Sequence, residues 1–189
     1  MTQAVVVMGV SGCGKSAVAA GMAQQLGWRA VDADDLHSPQ AVAKMRAGQA
    51  LNDDDRAPWL NRVGAVLAAS STAASTTAST TASKAADTAN TGMLVACSAL
   101  RRTYRDRLRA ACPGLRFLFL EGERSVLAAR MAQRPGHYMP ASLLDSQLQT
   151  LERPGADEPD VLRLDIDQPL HTLVQQACTA VRQANWCAV

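Results

Sequence analysis

Aromatic side chains are scarce in this chain: Phe, Tyr and Trp together number seven in 189 residues. A core with so few rings must rest on aliphatic and alanine packing, and the 48% hydrophobic fraction supplies it. Lysine is scarcer still, three residues against sixteen arginines, and 17 acidic residues nearly offset the 19 basic ones. A formal charge of +2 leaves no excess suited to a polyanion, so nucleic acid is not an expected partner. Most of the arginines read as solvated surface, with a minority available to grip phosphate or carboxylate through two parallel hydrogen bonds.

No stretch approaches the ~20 continuous apolar residues that a bilayer span needs, so no membrane partner is expected. The N-terminus shows no basic region ahead of a hydrophobic segment and cleavage site. The five cysteines are odd in number and lack metal-ligand spacing, which argues against a disulfide framework or a zinc site. Reduced thiols in a cytoplasmic protein are the simplest reading. The length fits one domain covering residues 1–189.

Against these absences stands Gly9-Val10-Ser11-Gly12-Cys13-Gly14-Lys15-Ser16, which fits G-x-x-x-x-G-K-[ST] at every fixed position and directly follows the apolar run Ala4 to Met8. A strand feeding a glycine-rich turn points successive backbone N–H groups inward, where they can cradle phosphate oxygens. The following helix adds the positive end of its dipole. Lys15 is placed to reach the β- and γ-phosphates of ATP, and the Ser16 hydroxyl to ligate the Mg²⁺ that bridges them. Nucleoside triphosphate binding follows; what is done with the nucleotide does not.

A helix over Ala17 to Leu26, ending at Gly27, and a strand at Trp28 to Val31 complete a strand, loop, helix, strand unit. Asp32-Ala33-Asp34-Asp35-Leu36-His37 follows, beyond the carboxyl end of that strand, where ligands meet doubly wound sheets. Asp35 is equally a helix cap ahead of Ser38-Pro39. Asp32 and Asp34 share a direction only if the extended geometry persists; one could then hold a metal-bound water and the other an acceptor hydroxyl. His37 is a candidate substrate contact, a cap or a surface residue.

Further on, Ala41 to Gly48, carrying Lys44, reads as a short helix, and Asp53-Asp54-Asp55 lead into a helix over Arg56 to Leu67 with Pro58 in its first turn. Arg56 is well placed there to reach an anion. Residues 70–92 form a Ser/Thr/Ala tract without hydrophobic periodicity, read as a mobile loop or weakly helical insertion within one domain. Strands are expected at Met93 to Cys97, Leu115 to Leu120 and Val161 to Ile166, and helices at Arg101 to Arg109, Arg124 to Gln133, Ala141 to Leu151 and Leu170 to Ala184. Arg130 and Arg134, four residues apart, share a helical face if that helix continues. They lead into Pro135-Gly136-His137, either a closing flap over residues 124–152 that brings positive charge onto the triphosphate, or an ordinary surface helix end. Five strands alternating with helices predict a three-layer α/β fold around a parallel sheet with right-handed crossovers.

The ordered set VMGVSGCGKS (Val7 to Ser16), DADDLH (Asp32 to His37), KMRAGQALNDDDRAPWL (Lys44 to Leu60), CSALRRTYRDRLR (Cys97 to Arg109), RPGHYMPASLLDSQLQTLERP (Arg134 to Pro154) and DIDQP (Asp165 to Pro169) resembles the gluconokinases. These are small P-loop kinases built like shikimate and nucleoside monophosphate kinases. Cys13 stands where many relatives carry Ser, and the Ser/Thr/Ala tract is longer than the family leads one to expect.

The resemblance implies the P-loop NTPase fold with a five-stranded parallel sheet, and phosphorylation of D-gluconate at its 6-hydroxyl by ATP with Mg²⁺. It further implies Asp34 at the accepting hydroxyl, Asp32 with Ser16 in the metal shell, and an adenine-side loop around Asp167 to Pro169. Lys15, Arg130 and Arg134 would neutralise the transferring group. The gluconate carboxylate needs a cation, for which Lys44, Arg56 and Arg102 are candidates, and His137 is either a substrate contact or a loop-packing residue. A homodimer is usual in the family. Another acceptor such as shikimate, or a non-catalytic nucleotide switch, are the alternatives; the KM-x-x-G…DDDR-x-PWL and SAL-x-x-x-YRD-x-LR segments argue against the first.

Overall fold

The computed structural model describes residues 4–49, 51–73, 92–132 and 141–183. Five strands, β1 (Ala4–Met8), β2 (Arg29–Asp32), β3 (Met93–Ala96), β4 (Arg116–Glu121) and β5 (Val161–Asp165), form one sheet in the order β2-β3-β1-β4-β5. Every pairing is parallel, with Val5 opposite Leu94 and Arg116, and Val31 opposite Val95. All five residues of β1 are buried, as expected of a central strand covered on both faces.

The period-two alternation of the strands divides the core in two. Val5, Val7, Leu94, Ala96, Leu118 and Leu120 face one side, against α1 (Lys15–Leu26) and α7 (Leu170–Gln183). Val6, Met8, Val95, Phe117 and Phe119 face the other, against α3 (Asp53–Ala73) and α4 (Arg102–Ala111). The remaining helices are α2 (Pro39–Arg46), α5 (Arg124–Ala132) and α6 (Ala141–Thr150). The expected three-layer α/β architecture is the one observed. Among the described residues, no helix is long and apolar enough to cross a membrane.

One open condition is decided against, and two local expectations are corrected. The chain does not stay extended after β2: the Asp32 carboxylate accepts the Asp34 N–H at 3.0 Å and curls Ala33–Leu36 into a 3₁₀ turn. Asp32 is thus the cap of that turn and Ser38 the cap of α2, with Pro39 next to it, so Asp35 caps neither. Helix α3 begins three residues earlier than expected, because Asn52 and Asp55 cap each other reciprocally, Asp55 N–H to Asn52 Oδ1 at 2.8 Å and Asn52 N–H to Asp55 Oδ2 at 3.0 Å. Pro58 therefore falls beyond the first turn, inside the helix, where it forgoes one backbone hydrogen bond. At its other end α3 runs through Ala73, into the first residues of the Ser/Thr/Ala tract; residues 74–91 lie outside those described.

Candidate active site

The phosphate loop connects β1 to α1. Gly12 and Gly14 adopt φ of 83° and 95°, which a side chain disfavours, and a Cβ on Gly12 would come within 2.9 Å of the Leu127 carbonyl oxygen. Gly14 precedes α1 without supplying a side-chain cap, and the first turn holds no acidic residue. The leading N–H groups of α1 are thereby left for an anion. Lys15 lies back along the loop, its Nζ donating to the Val10 carbonyl at 3.0 Å.

Ser16, one residue into α1, donates its hydroxyl to Asp32 Oδ2 at 2.6 Å. Parallel pairing of β2, β3 and β1 brings their carboxyl ends side by side and makes this contact possible across sixteen residues of sequence. Cys97, the residue after β3, is buried. Burial pushes its thiol up to about 12, and the charges of Asp34, Lys15 and Asp32 are all felt there. It is an inert small hydrophobe at the carboxyl end of β3. Among the described residues no group of three or more His, Cys, Asp or Glu is placed to hold a metal ion. The hydroxyl and carboxylate of Ser16 and Asp32 are hard oxygen donors of the kind Mg²⁺ takes when most of its shell is water and phosphate.

The 3₁₀ turn after β2 is held from α3: Trp59 Nε1 donates to the Ala33 carbonyl at 2.6 Å and Arg62 Nε to the Leu36 carbonyl at 2.6 Å. His37 stacks on Trp59 with ring centroids 4.6 Å apart and planes 7° from parallel. Burial holds its pKa below the usual histidine value, opposed by Asp34 and reinforced by Arg56 and Arg62. The imidazole is therefore neutral at pH 7, and its Nδ1 is buried without a hydrogen-bond partner.

The three candidate cations for a substrate carboxylate separate clearly. Lys44 is committed to Asp55 at 2.6 Å, an interaction that, with the Asn52 N–H, holds that carboxyl below its usual range. Arg102 turns away, pairing with Asp157 and Asp106 while its backbone N–H donates to Glu152 at 2.6 Å. Arg56 donates from Nε to the Leu51 carbonyl at 3.2 Å and lays its guanidinium 6.0 Å from the centre of the Tyr104 ring.

Arg130 lies in α5 and donates from Nη2 to the Ile166 carbonyl at 2.6 Å, beside the turn at Asp167 to Pro169. That turn is shaped by the Asp165 carboxylate, which accepts the Asp167 N–H at 2.9 Å. Arg130 and the expected adenine-side turn are thus brought together. Arg134 and His137 lie outside the described residues.

Several site residues were not singled out from sequence. Gln147 of α6 accepts the Ser11 N–H through Oε1 at 2.6 Å, and Arg124 Nε and Nη2 grip Asp145 at 2.7 and 3.0 Å, tying α5 to α6. Trp59 holds the turn after β2, and Tyr104 and Arg101 both donate to Asp53 at the start of α3. The only sequence signal for Gln147 was its place inside the RPGHYMPASLLDSQLQTLERP segment.

Residues 5–154 match the AAA domain family model. The chain is similar to the thermoresistant gluconokinase of Escherichia coli (strain K12), 42% identical over 181 residues covering 95% of this chain and 94% of that protein. It is 45% identical to the gluconokinase of Gluconobacter oxydans (strain 621H) over 154 residues, 82% of this chain and 78% of the relative. A crystal structure of a gluconokinase from Sinorhizobium meliloti 1021 superposes with a TM-score of 0.80 at 42% identity, covering 96% of this chain and 93% of that one. With a nucleotide loop, an acidic turn and a matching fold along nearly the whole length, the chain belongs to the gluconokinase family of P-loop kinases.

Proposed function

We propose that this protein transfers the γ-phosphoryl group of ATP to the 6-hydroxyl of D-gluconate, giving 6-phospho-D-gluconate and ADP. The observation that carries the reading is the Ser16 to Asp32 hydrogen bond, which ties the helix after the phosphate loop to the acidic turn that holds Asp34, with His37 stacked on Trp59 just beyond it. Phosphoryl transfer asks little covalent work of a protein; positioning and neutralisation dominate.

In this reading the backbone N–H groups of Gly12 to Ser16 bind the β- and γ-phosphates, with Gly9 to Ser11 shaping the approach. On binding, Lys15 exchanges the Val10 carbonyl for phosphate oxygen. Ser16 and Asp32 hold Mg²⁺, directly or through its water. The metal, when bound, neutralises charge on the phosphates. Asp34 orients the 6-hydroxyl and accepts its proton, while His37, neutral and buried on one side, offers a hydrogen bond to the polyol. Arg130 sits under the nucleotide with the Asp167 to Pro169 turn, and Arg134 and His137 belong to the flap formed by residues 124–152. The whole chain is one kinase domain with an insertion at 70–92, working as a cytoplasmic homodimer; this last point rests on the family resemblance.

The testing experiment is acceptor-dependent ADP release: Mg-ATP turnover that rises with D-gluconate supports the reading, and turnover indifferent to gluconate removes it.

A further inference from the structure

A six-carbon sugar acid carries its reacting hydroxyl and its carboxylate at opposite ends, so the carboxylate must be met at a distance from Asp34. A path along α3 leads away from that residue. The turn that carries Asp34 is bonded to Trp59 of α3, His37 stacks on the same Trp59, and Arg56, in the first turn of that helix, lies over the Tyr104 ring. A second guanidinium, that of Arg101, lies 5.9 Å from the centre of the same ring.

Tyr104 is 6% exposed and donates its hydroxyl to Asp53, the first residue of α3. Burial and that hydrogen bond push its phenol up to about 12, so it remains a donor throughout the working pH range. Asp53 also accepts from Arg101 Nη1 at 2.7 Å. One carboxylate thus positions a phenol and a guanidinium together. Arg101 keeps the rest of its fork, and the side chains of both Arg101 and Asp53 are open to solvent, 39% and 61% exposed. Among the described residues, Arg56 has no carboxylate partner within ion-pair distance. Its Nε is engaged by the Leu51 carbonyl, which orients the guanidinium and leaves the two terminal nitrogens for a ligand.

We propose that Arg56 and Arg101, each seated over the Tyr104 ring, form the clamp that reads the substrate's carboxylate, with Asp53 and Tyr104 as the positioning residues for Arg101. The inference rests on the sugar-acid reading of the acceptor and adds to it the residues that make an acid preferred over a neutral polyol. Two guanidiniums beside one carboxylate supply net positive charge at the clamp. Planar forks match a carboxylate in a way that a lysine point charge does not. Arg102, the neighbour in sequence, is excluded by its engagement with Asp157, Asp106 and Glu152.

The experiment compares wild type with Arg56→Gln, Arg101→Gln and Arg101→Lys, measuring KM for D-gluconate, KM for ATP and thermal stability. D-Glucitol, which replaces the carboxylate with a neutral alcohol, is tested as a second acceptor and as a competitor of gluconate. Loss of a hydrogen bond to a charged group predicts a roughly 10- to 100-fold rise in gluconate KM for each Gln variant. ATP KM and melting temperature stay near wild type, Arg101→Lys recovers part of the loss, and the affinity for D-glucitol does not fall. Unchanged gluconate KM in both Gln variants overturns the clamp, as does an equal loss for gluconate and D-glucitol, which marks a structural role. Failure of the wild-type enzyme to phosphorylate gluconate would instead overturn the proposed function, so the two failures are distinguishable.

Discussion

The Ser16 hydroxyl donates a 2.6 Å hydrogen bond to Asp32 Oδ2, joining the first turn of α1 to the last residue of β2. Two oxygen donors are thereby fixed beside the phosphate loop before any ligand arrives. Asp32→Asn keeps the shape but removes the charge, and it also weakens the acceptor of the Asp34 N–H. The expected result is a requirement for roughly tenfold or more Mg²⁺ at half-maximal rate, in line with the loss that follows removal of a metal's supporting groups. Titration of activity against Mg²⁺ at fixed ATP checks it; an unchanged midpoint would take Asp32 out of the metal shell.

In the proposed function Asp34 meets the accepting hydroxyl, an interaction that strengthens as the proton leaves. Asp34→Asn is therefore expected to lower kcat by about 10²- to 10⁴-fold, the usual range for general base catalysis, with a smaller change in gluconate KM. Steady-state kinetics in both substrates separates the two effects. A change confined to KM would leave Asp34 as a binding residue alone.

Gln147 reaches from α6 to the phosphate loop and accepts the Ser11 N–H. Its helix is anchored by Leu144, 1% exposed, in the core layer that holds α1. Replacing the amide by the similarly sized Leu leaves that N–H without its acceptor while keeping the packing. The unpaired donor costs about 1 to 3 kcal/mol, and the disturbance falls on the loop. Gln147→Leu is expected to lower the melting temperature modestly and raise ATP KM more than gluconate KM. Equal effects on both substrates would reduce Gln147 to a packing residue.

Away from the site, Arg105 and Glu158 form a buried pair, 1% and 4% exposed, with Arg105 Nε and Nη2 on the two carboxylate oxygens at 2.7 and 2.6 Å. Arg109 adds a bond to Glu158 at 2.7 Å and grips Asp160, locking the segment before β5 onto α4. Burial alone would raise the Glu158 pKa, but the hydrogen bonds from Arg105 and Arg109 bring it down to about 2. A carboxyl depressed on folding stabilises above its unfolded value of about 4.5, and that contribution is lost as pH falls from there towards 2. The melting temperature should hold from pH 7 to about 5 and then drop. Glu158→Gln breaks the pair and should cost about 3 to 5 kcal/mol at pH 7 while flattening the acid-side fall. A variant as stable as wild type at pH 7 would contradict the pairing.

The parts of the structure that were legible in sequence are those coded locally. Continuous apolar runs such as Met93 to Ala96 and Phe117 to Leu120 announced buried parallel strands, and the glycine pattern from Gly9 to Gly14 announced a loop whose backbone is the ligand-binding element. Helix starts were less legible, because the Asn52 and Asp55 reciprocal cap competes with a row of equally plausible acids. The geometry after β2 stayed open in the sequence for a related reason: whether Asp32 binds its own chain two residues on or extends the strand is a choice between two local hydrogen-bond patterns. Least legible were roles decided by distant partners. Arg101 and Arg102 are neighbours of one type, and only Asp53 and Asp157, about fifty residues away on either side, draw one towards the start of α3 and the other towards the segment before β5. Gln147 meets Ser11 across a sequence separation of 136, and no local pattern encodes that meeting.

The most direct test of the central claim is steady-state ADP release with Mg-ATP against a panel of D-gluconate, other aldonates, shikimate and nucleoside monophosphates, with Lys15→Ala as the inactive reference. The account predicts strong stimulation by gluconate in the wild-type enzyme, none by shikimate or the monophosphates, and near-complete loss in a correctly folded Lys15→Ala variant. Stimulation by another acceptor in place of gluconate, or release that ignores every acceptor, would contradict it.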